Sequence, residues 1–514
     1  MNVLVSAPSS RLEKSALVRT EPHPARLVWL CLALLVAAGF LIRLWGLTHM
    51  HFWDENVYLL NADYILTGKA GYLEIDSRPP LISVFFAGVF ALWHSDYAAQ
   101  IVTSLLNALG PLFLYLAGRR IVSRAAASIA AILLAFGPFF AGACADGDGG
   151  FVENCNGHSL LTDCPALTLI LLSLWLLVRA LESQTASQTN LRFFLAGLAL
   201  ASTVLMRFGS LSTVGVLMLL PLAARFRWRA LAVCLAGFLA GMAPYLCWSR
   251  LRYGGFLETL RNGWANLGGL PEPFLYYVQN MPQMLTWLSI AGLALWLLGC
   301  AFLLARILRG NRPHFTGLAE RISPRWQAFL LFWALAVLLF FSSIPHKESR
   351  YSIPVAPPLL LLAASGLALL LRPRQKSLRI AAAVVLASGL LIVCWPTHHR
   401  FDTGFIDPSV SEEMNVSAWL RGNLPATTIL YTNQNYPDFA WYSGMNAEAL
   451  PEDEDGLAEE IDKLPADGIL IAYRVNGNDP AQPPAPSPAK LDQDPHFKRL
   501  REFPSLILYT YRAF

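Results

Sequence analysis

The stretch LVWLCLALLVAAGFLIRLWGLTHMHFWDEN, residues 27–56, decides the fold class. Its first part, residues 27–47, is apolar apart from Arg43, and it is long enough to cross a bilayer, which takes about 20 residues. The leader before it is long and charged, and no small-residue cleavage site follows the apolar run. This segment is therefore predicted to be an uncleaved membrane helix that brings Asp54 and Glu55 to the membrane surface.

The composition extends this prediction to the whole chain. Of 514 residues, 55% are hydrophobic and 14% are charged, and the mean hydropathy is +0.44. A soluble globular chain is usually about 25% charged. The composition excludes a soluble enzyme, a disordered chain and a nucleic-acid-binding protein. The 15 Trp and 16 Tyr residues suit a protein with many membrane–water interfaces. The expected class is a polytopic α-helical membrane protein.

Ten further apolar runs bring the number of predicted crossings to about eleven. The predicted spans are 27–47, 97–117, 125–143, 162–180, 193–208, 210–224, 230–248, 284–305, 327–343, 352–371 and 379–396. Basic clusters at six places between them are predicted to be cytoplasmic by the positive-inside rule. These clusters are Arg11, Lys14, Arg19 and Arg26; Arg119, Arg120 and Arg124; Arg179 and Arg192; Arg225, Arg227 and Arg229; Arg306, Arg309, Arg312, Arg321 and Arg325; and Arg372, Arg374, Lys376 and Arg379.

The apolar segment 80–94 is short for a membrane span. A membrane crossing there would also move the later basic clusters to the opposite side of the membrane from the one that the positive-inside rule predicts. A run of this length is more often interfacial or re-entrant. It is predicted to be a juxtamembrane helix within one long external loop, 48–98. The predicted organisation is a cytoplasmic tail (1–26), a transmembrane domain (27–396) and an external domain (397–514).

The last 118 residues alternate between helical and strand patterns. The predicted elements are a helix at 411–424, a strand at 427–432, a helix at 456–464 and strands at 468–475 and 505–512. Such an alternation is typical of a small α/β domain.

Polar residues at three places are candidates for a functional site, and the first place follows the first span. Asp54 fits either a helix N-cap before a helix at 55–67 or a general base at the membrane surface. No Glu or Gln stands at the third helical position to complete a capping box. A metal site formed by His49, His51 and Asp54 is a further alternative.

The second place is the loop 144–163, which carries no Lys or Arg. Its acids and histidine are Asp146, Asp148, Glu153, His158 and Asp163. Asp163 fits either the capped start of the next helix, with Pro165 in the first turn, or a second acid of the site. Cys144, Cys155 and Cys164 cluster here, and both a Cys144–Cys155 disulfide and free thiols are compatible with the sequence.

The third place is the loop 344–354, IPHKESRYSIP, between two apolar spans. Its ionisable residues are His346, Lys347, Glu348 and Arg350. Ionisable groups close to a membrane are functional candidates by default, and the alternative is a solvated, ion-paired turn.

Arginines on the predicted outer side indicate an anionic ligand, because they run against the positive-inside bias. They are Arg78, Arg207, Arg250, Arg252 and Arg261. Arginine matches the charge and geometry of a phosphate, and a nearby carboxylate can take the proton of an attacking hydroxyl. The predicted cytoplasmic side has no Walker A, Gly-rich nucleotide loop or D-x-D motif. The activated substrate is therefore expected to come from the bilayer.

Taken in order, these motifs resemble the GT-C glycosyltransferases. The shared features are Asp-Glu in a long first external loop, a basic-Pro-Pro start of a re-entrant helix, Thr-Asp-x-Pro opening the fourth span, and a late Arg-Tyr-x-x-Pro. The branch most similar to this chain is the bacterial protein O-mannosyltransferase-like group, which includes the lipid A aminoarabinose transferases. The segment 346–351 also resembles the H-K-E-x-R-Y motif of a group of lipid-linked mannosyltransferases.

The resemblance implies that Asp54 is the catalytic base, with Glu55 beside it in the substrate site, and that Asp163 is a second catalytic acid. Arg78 corresponds to a position linked to the donor phosphate. In the late loop, the resemblance implies substrate-binding roles for His346, Lys347, Glu348, Arg350 and Tyr351. The chain departs from the aminoarabinose transferases at Val57, where they carry an arginine, and this puts that acceptor chemistry in doubt.

The sequence thus predicts an inverting glycosyltransferase that moves a sugar from a polyprenyl-phosphate donor to a hydroxyl of a lipid, glycan or protein acceptor. The predicted location is the outer face of a bacterial inner membrane, with membrane lipids as partners and no nucleic acid. No cofactor is assigned, and a divalent metal stays open because related oligosaccharyltransferases use one. The alternatives are a transporter or flippase of lipid-linked sugars, which would be expected to show inverted repeats, and a non-catalytic scaffold.

Overall fold

The computed structural model describes most of the chain, with gaps at both termini and in several loops. The described residues are 25–44, 47, 49, 51, 53–68, 77–141, 160–183, 185–225, 227–265, 272–309, 324–371, 375–399, 408–432, 434–450, 468–474 and 487–511. The loop acids Asp146, Asp148 and Glu153, together with Cys144 and Cys155, lie outside these ranges, as does the predicted helix at 456–464.

Among the described residues up to 399, all regular secondary structure is helical. The α-helices are α1 (Ala25–Leu44), α2 (Trp53–Thr67), α3 (Leu81–Phe90), α4 (Asp96–Ile121), α5 (Arg124–Phe136), α6 (Pro138–Ala141), α7 (Asp163–Leu181), α8 (Ala186–Met206), α9 (Leu211–Met218), α10 (Leu220–Arg225), α11 (Trp228–Tyr253), α12 (Glu258–Ala265), α13 (Tyr276–Gln279), α14 (Met281–Met284), α15 (Trp287–Leu308), α16 (Pro324–Ser342), α17 (Ala356–Leu367) and α18 (Lys376–His399). Short 3-10 helices cover Phe208–Ser210, Ser349–Val355 and Ala368–Leu371.

Within the described ranges, nine helical segments are long and apolar enough to cross a membrane. They are α1, α4, α7, α8, α11, α15, α16, the continuous segment Ser349–Leu371 around α17, and α18. Each coincides with one of the predicted spans. The two other predicted spans, 125–143 and 210–224, fall on shorter apolar helices. The chain is thus a multi-pass membrane protein, and the prediction of a polytopic helical fold is confirmed.

The spans divide into a buried centre and a periphery. Most residues of α7 and of the segment around α17 are buried by other helices, whereas α1, α15 and α18 expose most of theirs. The α8 and α11 helices approach closely at two glycines. A Cβ atom on Gly197 would lie 2.0 Å from the Cys234 carbonyl oxygen, and one on Gly237 would lie 2.2 Å from the Phe194 oxygen. Small residues allow such backbone contact between membrane helices.

Helices α2 and α3 form the link between α1 and α4. At ten residues, α3 is about 15 Å long, which is half of the hydrocarbon thickness. This length agrees with the predicted juxtamembrane helix. The two helices pack on each other through Tyr58, Leu59, Ile82 and Phe86, all buried. The N-terminal end of α2, which carries Asp54, is thereby held beside the start of α3.

The chain after residue 407 forms a separate α/β unit, the C-terminal domain. Its elements are α19 (Pro408–Asn423), β1 (Ile429–Thr432), α20 (Tyr436–Ser443), β2 (Asn446–Ala449), β3 (Ile469–Tyr473), α21 (Pro488–Leu491), β4 (Phe497–Glu502) and β5 (Leu506–Tyr511). The strand order is β2-β1-β3-β5-β4, in which β2, β1 and β3 are parallel and the last two strands are antiparallel to their neighbours.

The strands β1, β3 and β5 and the helix α19 match the predicted elements of this domain. Their alternating apolar residues bury one sheet face under α19 and α20, with Leu430, Ile471 and Leu508 in that core. The pattern did not predict α20, β2 or β4, because these elements are short and the exposed edge strand β4 carries four charges in six residues.

Candidate active site

The carboxylate of Asp54 lies between two arginines from distant parts of the chain. Arg78 Nη1 is 2.9 Å from Asp54 Oδ1, and Arg350 Nη2 donates to Asp54 Oδ2 at 3.0 Å. Asp54 stands in the first turn of α2, where the helix dipole favours a negative charge. Burial raises the pKa of the Asp54 carboxyl, but the two arginine charges outweigh burial and hold this pKa below its usual range.

Both arginines are held in place by aromatic rings and acids. The Arg78 guanidinium lies over the Trp53 ring, 5.0 Å from its centroid. Arg350 Nε donates to Glu348, which also accepts from the Tyr351 hydroxyl at 2.8 Å. The loop 344–354 is therefore ion-paired but not solvated: only 15% of the Arg350 side chain is exposed.

A second ion pair lies next to the first. Arg207 Nη1 is 2.6 Å from Asp163 Oδ2, and only 1% of the Asp163 side chain is exposed. The Arg207 guanidinium stacks over the Tyr351 ring at 4.9 Å, so that Tyr351 lies against both Arg207 and Arg350. Thr162 is the N-cap residue of α7, and its side chain makes no capping hydrogen bond. Asp163 thus joins the charged cluster instead of only starting a helix.

These groups line a cavity of about 120 Å³, which we call the Asp54 cavity. Its polar lining comes from eight residues: Asp54, Tyr58, Ser77, Arg78, Thr162, Arg207, Arg350 and Tyr351. Gly263 of α12 also lines it, and a Cβ atom there would lie 2.8 Å from the Ser77 carbonyl oxygen. A small cavity with one carboxylate and three arginines suits an anionic group next to a proton acceptor.

A second, mostly apolar cavity of about 790 Å³ lies beside it. Its lining includes Tyr64, Leu81, Val84, Tyr245 and Trp248. The two cavities are neighbours because Pro79 lines the first and Pro80 lines the second. The rings of Phe208 and Tyr245, one from each lining, lie 6.0 Å apart.

Comparison with known proteins assigns this architecture. Residues 77–248 match the sequence model of the family described as dolichyl-phosphate-mannose-protein mannosyltransferase. The crystal structure of ArnT from Cupriavidus metallidurans, in the apo state, superposes with a TM-score of 0.65 at 15% sequence identity, covering 94% of this chain and 98% of that one. The chain has the GT-C fold.

Other solved structures agree with this fold. ArnT from Cupriavidus metallidurans bound to undecaprenyl phosphate gives the same TM-score and coverage at 13% identity. The Archaeoglobus fulgidus oligosaccharyltransferase, tethered to an acceptor peptide, gives a TM-score of 0.53 at 14% identity, covering 86% of this chain and 69% of that one. A search of curated protein sequences finds no significant match. The predicted resemblance to the GT-C glycosyltransferases is confirmed, while the H-K-E-x-R-Y detail stays a prediction.

Four of the predicted site residues line the Asp54 cavity of this GT-C fold: Asp54, Arg78, Arg350 and Tyr351. Asp163 and Glu348 lie directly behind the lining, each bound to one of its arginines. The structure thus brings six of the predicted site residues together in one charged cluster, and their roles stay predictions.

Three further predicted substrate-binding residues neither line the cavity nor bind one of its arginines. Glu55 is buried, and its Oε1 accepts from the Leu160 backbone nitrogen at 2.5 Å. Lys347 is also buried and donates to the carbonyl oxygens of Glu272 and Pro345 at 2.9 and 3.3 Å. His346 is part-exposed, and its Nε2 lies 3.0 Å from Glu348 Oε1. These side chains brace the loops that carry the lining residues.

Sequence reasoning gave Arg207 no site role beyond that of an outward cation, and it did not mention Tyr58. Tyr58 follows Asp54 by four residues, so helical periodicity alone would have placed both on one face of α2. The pairing of Arg207 with Asp163 had no such local signal.

The alternative metal site of His49, His51 and Asp54 is not brought together. His49 Nδ1 and His51 Nε2 instead lie 2.6 and 2.9 Å from Asp96 Oδ2. Among the described residues, no group of three or more His, Cys, Asp and Glu side chains is arranged to hold a metal ion. Both oxygens of Asp54 face arginines, so this donor set does not fit a divalent cation.

Proposed function

We propose that this chain is an inverting glycosyltransferase that moves one sugar from a polyprenyl phosphate to an acceptor hydroxyl. The observation that carries the proposal is the Asp54 carboxylate held between Arg78 and Arg350 in the Asp54 cavity. A carboxylate can remove the proton of the attacking hydroxyl, and arginines can bind the departing phosphate.

In this mechanism, the acceptor oxygen attacks the anomeric carbon from the face opposite to the phosphate. The new carbon–oxygen bond forms as the bond to the phosphate oxygen breaks, which inverts the anomeric centre. Asp54 takes the hydroxyl proton. Arg78 and Arg350 hold the negative charge that develops on the phosphate, and the Asp163–Arg207 pair orients the acceptor beside them.

Donor binding would also prepare the base. In the free protein both arginines are bound to Asp54 and keep its pKa low, which makes it a weak base. When the arginines turn to the donor phosphate, their charge is neutralised. The pKa of Asp54 then rises, so that its basicity increases only when the donor is present.

The apolar cavity provides a place for the polyprenyl chain. It is lined by aromatic and aliphatic side chains, and it meets the Asp54 cavity at Pro79 and Pro80. A lipid-linked sugar has this same division, with an apolar chain joined directly to a phosphate. The undecaprenyl phosphate in the ArnT structure and the acceptor peptide in the oligosaccharyltransferase structure support a lipid-phosphate donor and a lipid, glycan or peptide acceptor.

We propose that the site faces away from the cytoplasm, at a bacterial inner membrane. Arg119 and Arg120 lie in the last turn of α4, and Arg179 lies in the last turn of α7. The opposite ends of these two helices carry Asp96 and Asp163, on the side of the site. By the positive-inside rule, the arginine ends are cytoplasmic. The C-terminal domain, on the site side, would then be periplasmic.

The experiment uses purified protein in lipid nanodiscs with a panel of radiolabelled polyprenyl-phosphate hexoses and pentoses. We expect wild type to release polyprenyl phosphate with at least one donor, and the Asp54→Asn variant to lose this activity. Chelation by EDTA is expected to leave the rate unchanged; a loss restored by a divalent cation would make the enzyme metal-dependent. If both forms bind donor saturably but release no polyprenyl phosphate with any donor of the panel and any added acceptor, the result would instead support a transporter of lipid-linked sugars.

A further inference from the structure

A buried polar contact joins α2 to the C-terminal domain on the side away from the Asp54 cavity. Asn56 is fully buried, and its Nδ2 donates to Asp438 Oδ1 at 2.5 Å and to the His51 carbonyl oxygen at 3.2 Å. Asn56 follows Asp54 by two residues, which is about 200° around a helix. The α2 helix therefore presents the Asp54 carboxylate to the cavity and the side-chain amide of Asn56 to the C-terminal domain.

The helix α20 makes the other contacts across this boundary. The Tyr442 hydroxyl accepts from the His51 backbone nitrogen at 2.7 Å and donates to the His51 carbonyl oxygen at 3.1 Å. Tyr436 packs edge-on against Trp53 at 5.8 Å, and Trp441 stacks on Phe90 at 6.1 Å. The start of α2 is thus fixed from behind by a single helix of the C-terminal domain.

Behind α20, the Asp438 carboxyl lies beside a second buried carboxyl, that of Glu413 in α19. Glu413 Oε1 accepts from the Tyr473 hydroxyl and from Asn435 Nδ2, both at 2.6 Å. Two ionised carboxylates buried side by side would repel each other, which favours the protonated form of one of them. Hydrogen bonds therefore tie Glu413 to Tyr473 and to the start of α20, and they tie Asp438 to Asn56 of α2.

We propose that Asp438 and Glu413 are positioning residues for Asp54: the contact of Asp438 with Asn56 and of Glu413 with Asn435 locks α20 onto α2 and so sets where the base lies relative to Arg78 and Arg350. The catalytic part of this inference rests on the proposed function. The locking of α2 does not, because it concerns the contact between two parts of the fold.

The carboxyl pair also gives the lock a pH dependence. Burial, followed by the charge of Glu413, raises the pKa of Asp438 well above its usual range, and Glu55 of α2 acts in the same direction. The Tyr442 and Tyr473 hydroxyls face the pair, and their pKa values are raised as well, so they stay protonated. The docked state holds its proton more tightly than the unfolded chain, so docking is strongest at low pH and weakens as the pH rises through the raised pKa.

The test compares Asp438→Asn and Asp438→Ala in the full chain in nanodiscs, by hydrogen–deuterium exchange of the α2 amides. The Asn side chain can donate to Glu413 and accept from Asn56 without a titrating proton. We expect Ala to raise α2 exchange by about tenfold, as for the loss of one buried hydrogen bond. We expect Asn to match wild type at low pH and to exchange more slowly than wild type as the pH rises. Asp494→Asn, in the same domain but paired with His496, is the matched control.

The inference is overturned if Ala leaves α2 exchange unchanged, or if Asn behaves like Ala. If Asp438→Ala does not fold, Tyr442→Phe gives the same test through the second contact. With an active donor, we expect Asp438→Ala to lower kcat at least tenfold with the donor KM within about twofold, and Asp438→Asn to restore kcat. If the variants show the expected exchange of the α2 amides but neither they nor wild type turn over donor, the proposed function is refuted. The locking of α2 is then still supported.

Discussion

Asp54 of α2 and Asp438 of α20 lie on opposite sides of α2, and their electrostatic surroundings differ in sign. Asp54 is bound by Arg78 and Arg350, and its pKa lies below the usual range. Asp438 is bound to Asn56 and lies beside the carboxyl of Glu413, and its pKa lies well above that range.

The comparison teaches that burial alone does not decide the state of an acid. Burial is the largest single influence on both groups, and in both it favours the neutral form. The difference comes from the partners, because a cation favours the carboxylate and a second carboxyl opposes it. One helix can therefore present a charged base on one side and a neutral, structural hydrogen bond on the other.

Substitution of Asp54, the ionised aspartate of the two, should have the largest effect on transfer. We expect Asp54→Asn to lower kcat by about 10³-fold, within the range for loss of a general base. Donor binding should be kept, because Arg78 and Arg350 are then free to bind phosphate. The measurement is single-turnover transfer in nanodiscs, with Asp63→Asn of the same helix as control, since Asp63 is paired with His94. An Asp54→Asn rate equal to wild type would remove Asp54 from the mechanism.

Removing a cation should have the next largest effect. We expect Arg350→Gln to raise the donor KM by about 10- to 100-fold, which corresponds to the loss of a charge-assisted hydrogen bond. Arg350→Lys should recover part of this loss. Steady-state kinetics against donor concentration measures it, and Arg474→Gln in the C-terminal domain is the matched control. An unchanged KM would mean that Arg350 serves only Asp54 and not the donor.

The pH response of transfer should sharpen the comparison. Because its arginines lower the pKa of Asp54, the carboxylate stays ionised as the pH falls through the usual aspartate range. We expect kcat/KM of wild type to show no acid limb between pH 8 and about pH 4. In Arg78→Gln, one of the two cations beside Asp54 is lost, so the acid limb of kcat/KM should move up into this pH range. Identical profiles for the two proteins would show that Arg78 does not set this pKa.

The smallest effect is expected for a substitution near Asp438, on the side of α2 that faces the C-terminal domain. Tyr473→Phe removes the hydroxyl that donates to Glu413 at 2.6 Å. We expect the C-terminal domain to lose about 1 kcal/mol of unfolding free energy, as for one buried hydrogen bond. Denaturant titration of the full chain, followed by Trp fluorescence, measures this loss. The pH profile of transfer should match that of wild type, without an acid limb; the appearance of a limb would mean that the two sides of α2 are coupled in charge.

The sequence predicted the membrane class, the places of the spans and most of the charged cluster. It could do so because a span needs only a continuous apolar run, and because motifs such as Asp54-Glu55, Arg78-Pro-Pro and Arg350-Tyr351 stand out against apolar surroundings. The same local evidence could not separate lining residues from bracing ones. Glu55 and Lys347 carry charges like their neighbours, yet their side chains turn to backbone groups at Leu160 and Glu272.

By itself, then, the sequence determined which segments are long and apolar enough to cross a membrane, since a segment's length and hydrophobicity are local properties of the chain. Only the tertiary structure decided the partners of each acid. Asp54 meets an arginine 296 residues away, and Asn56 meets Asp438 382 residues away. The state of a carboxyl depends on charges within a few ångströms, and no periodicity along the chain encodes which distant residue arrives there.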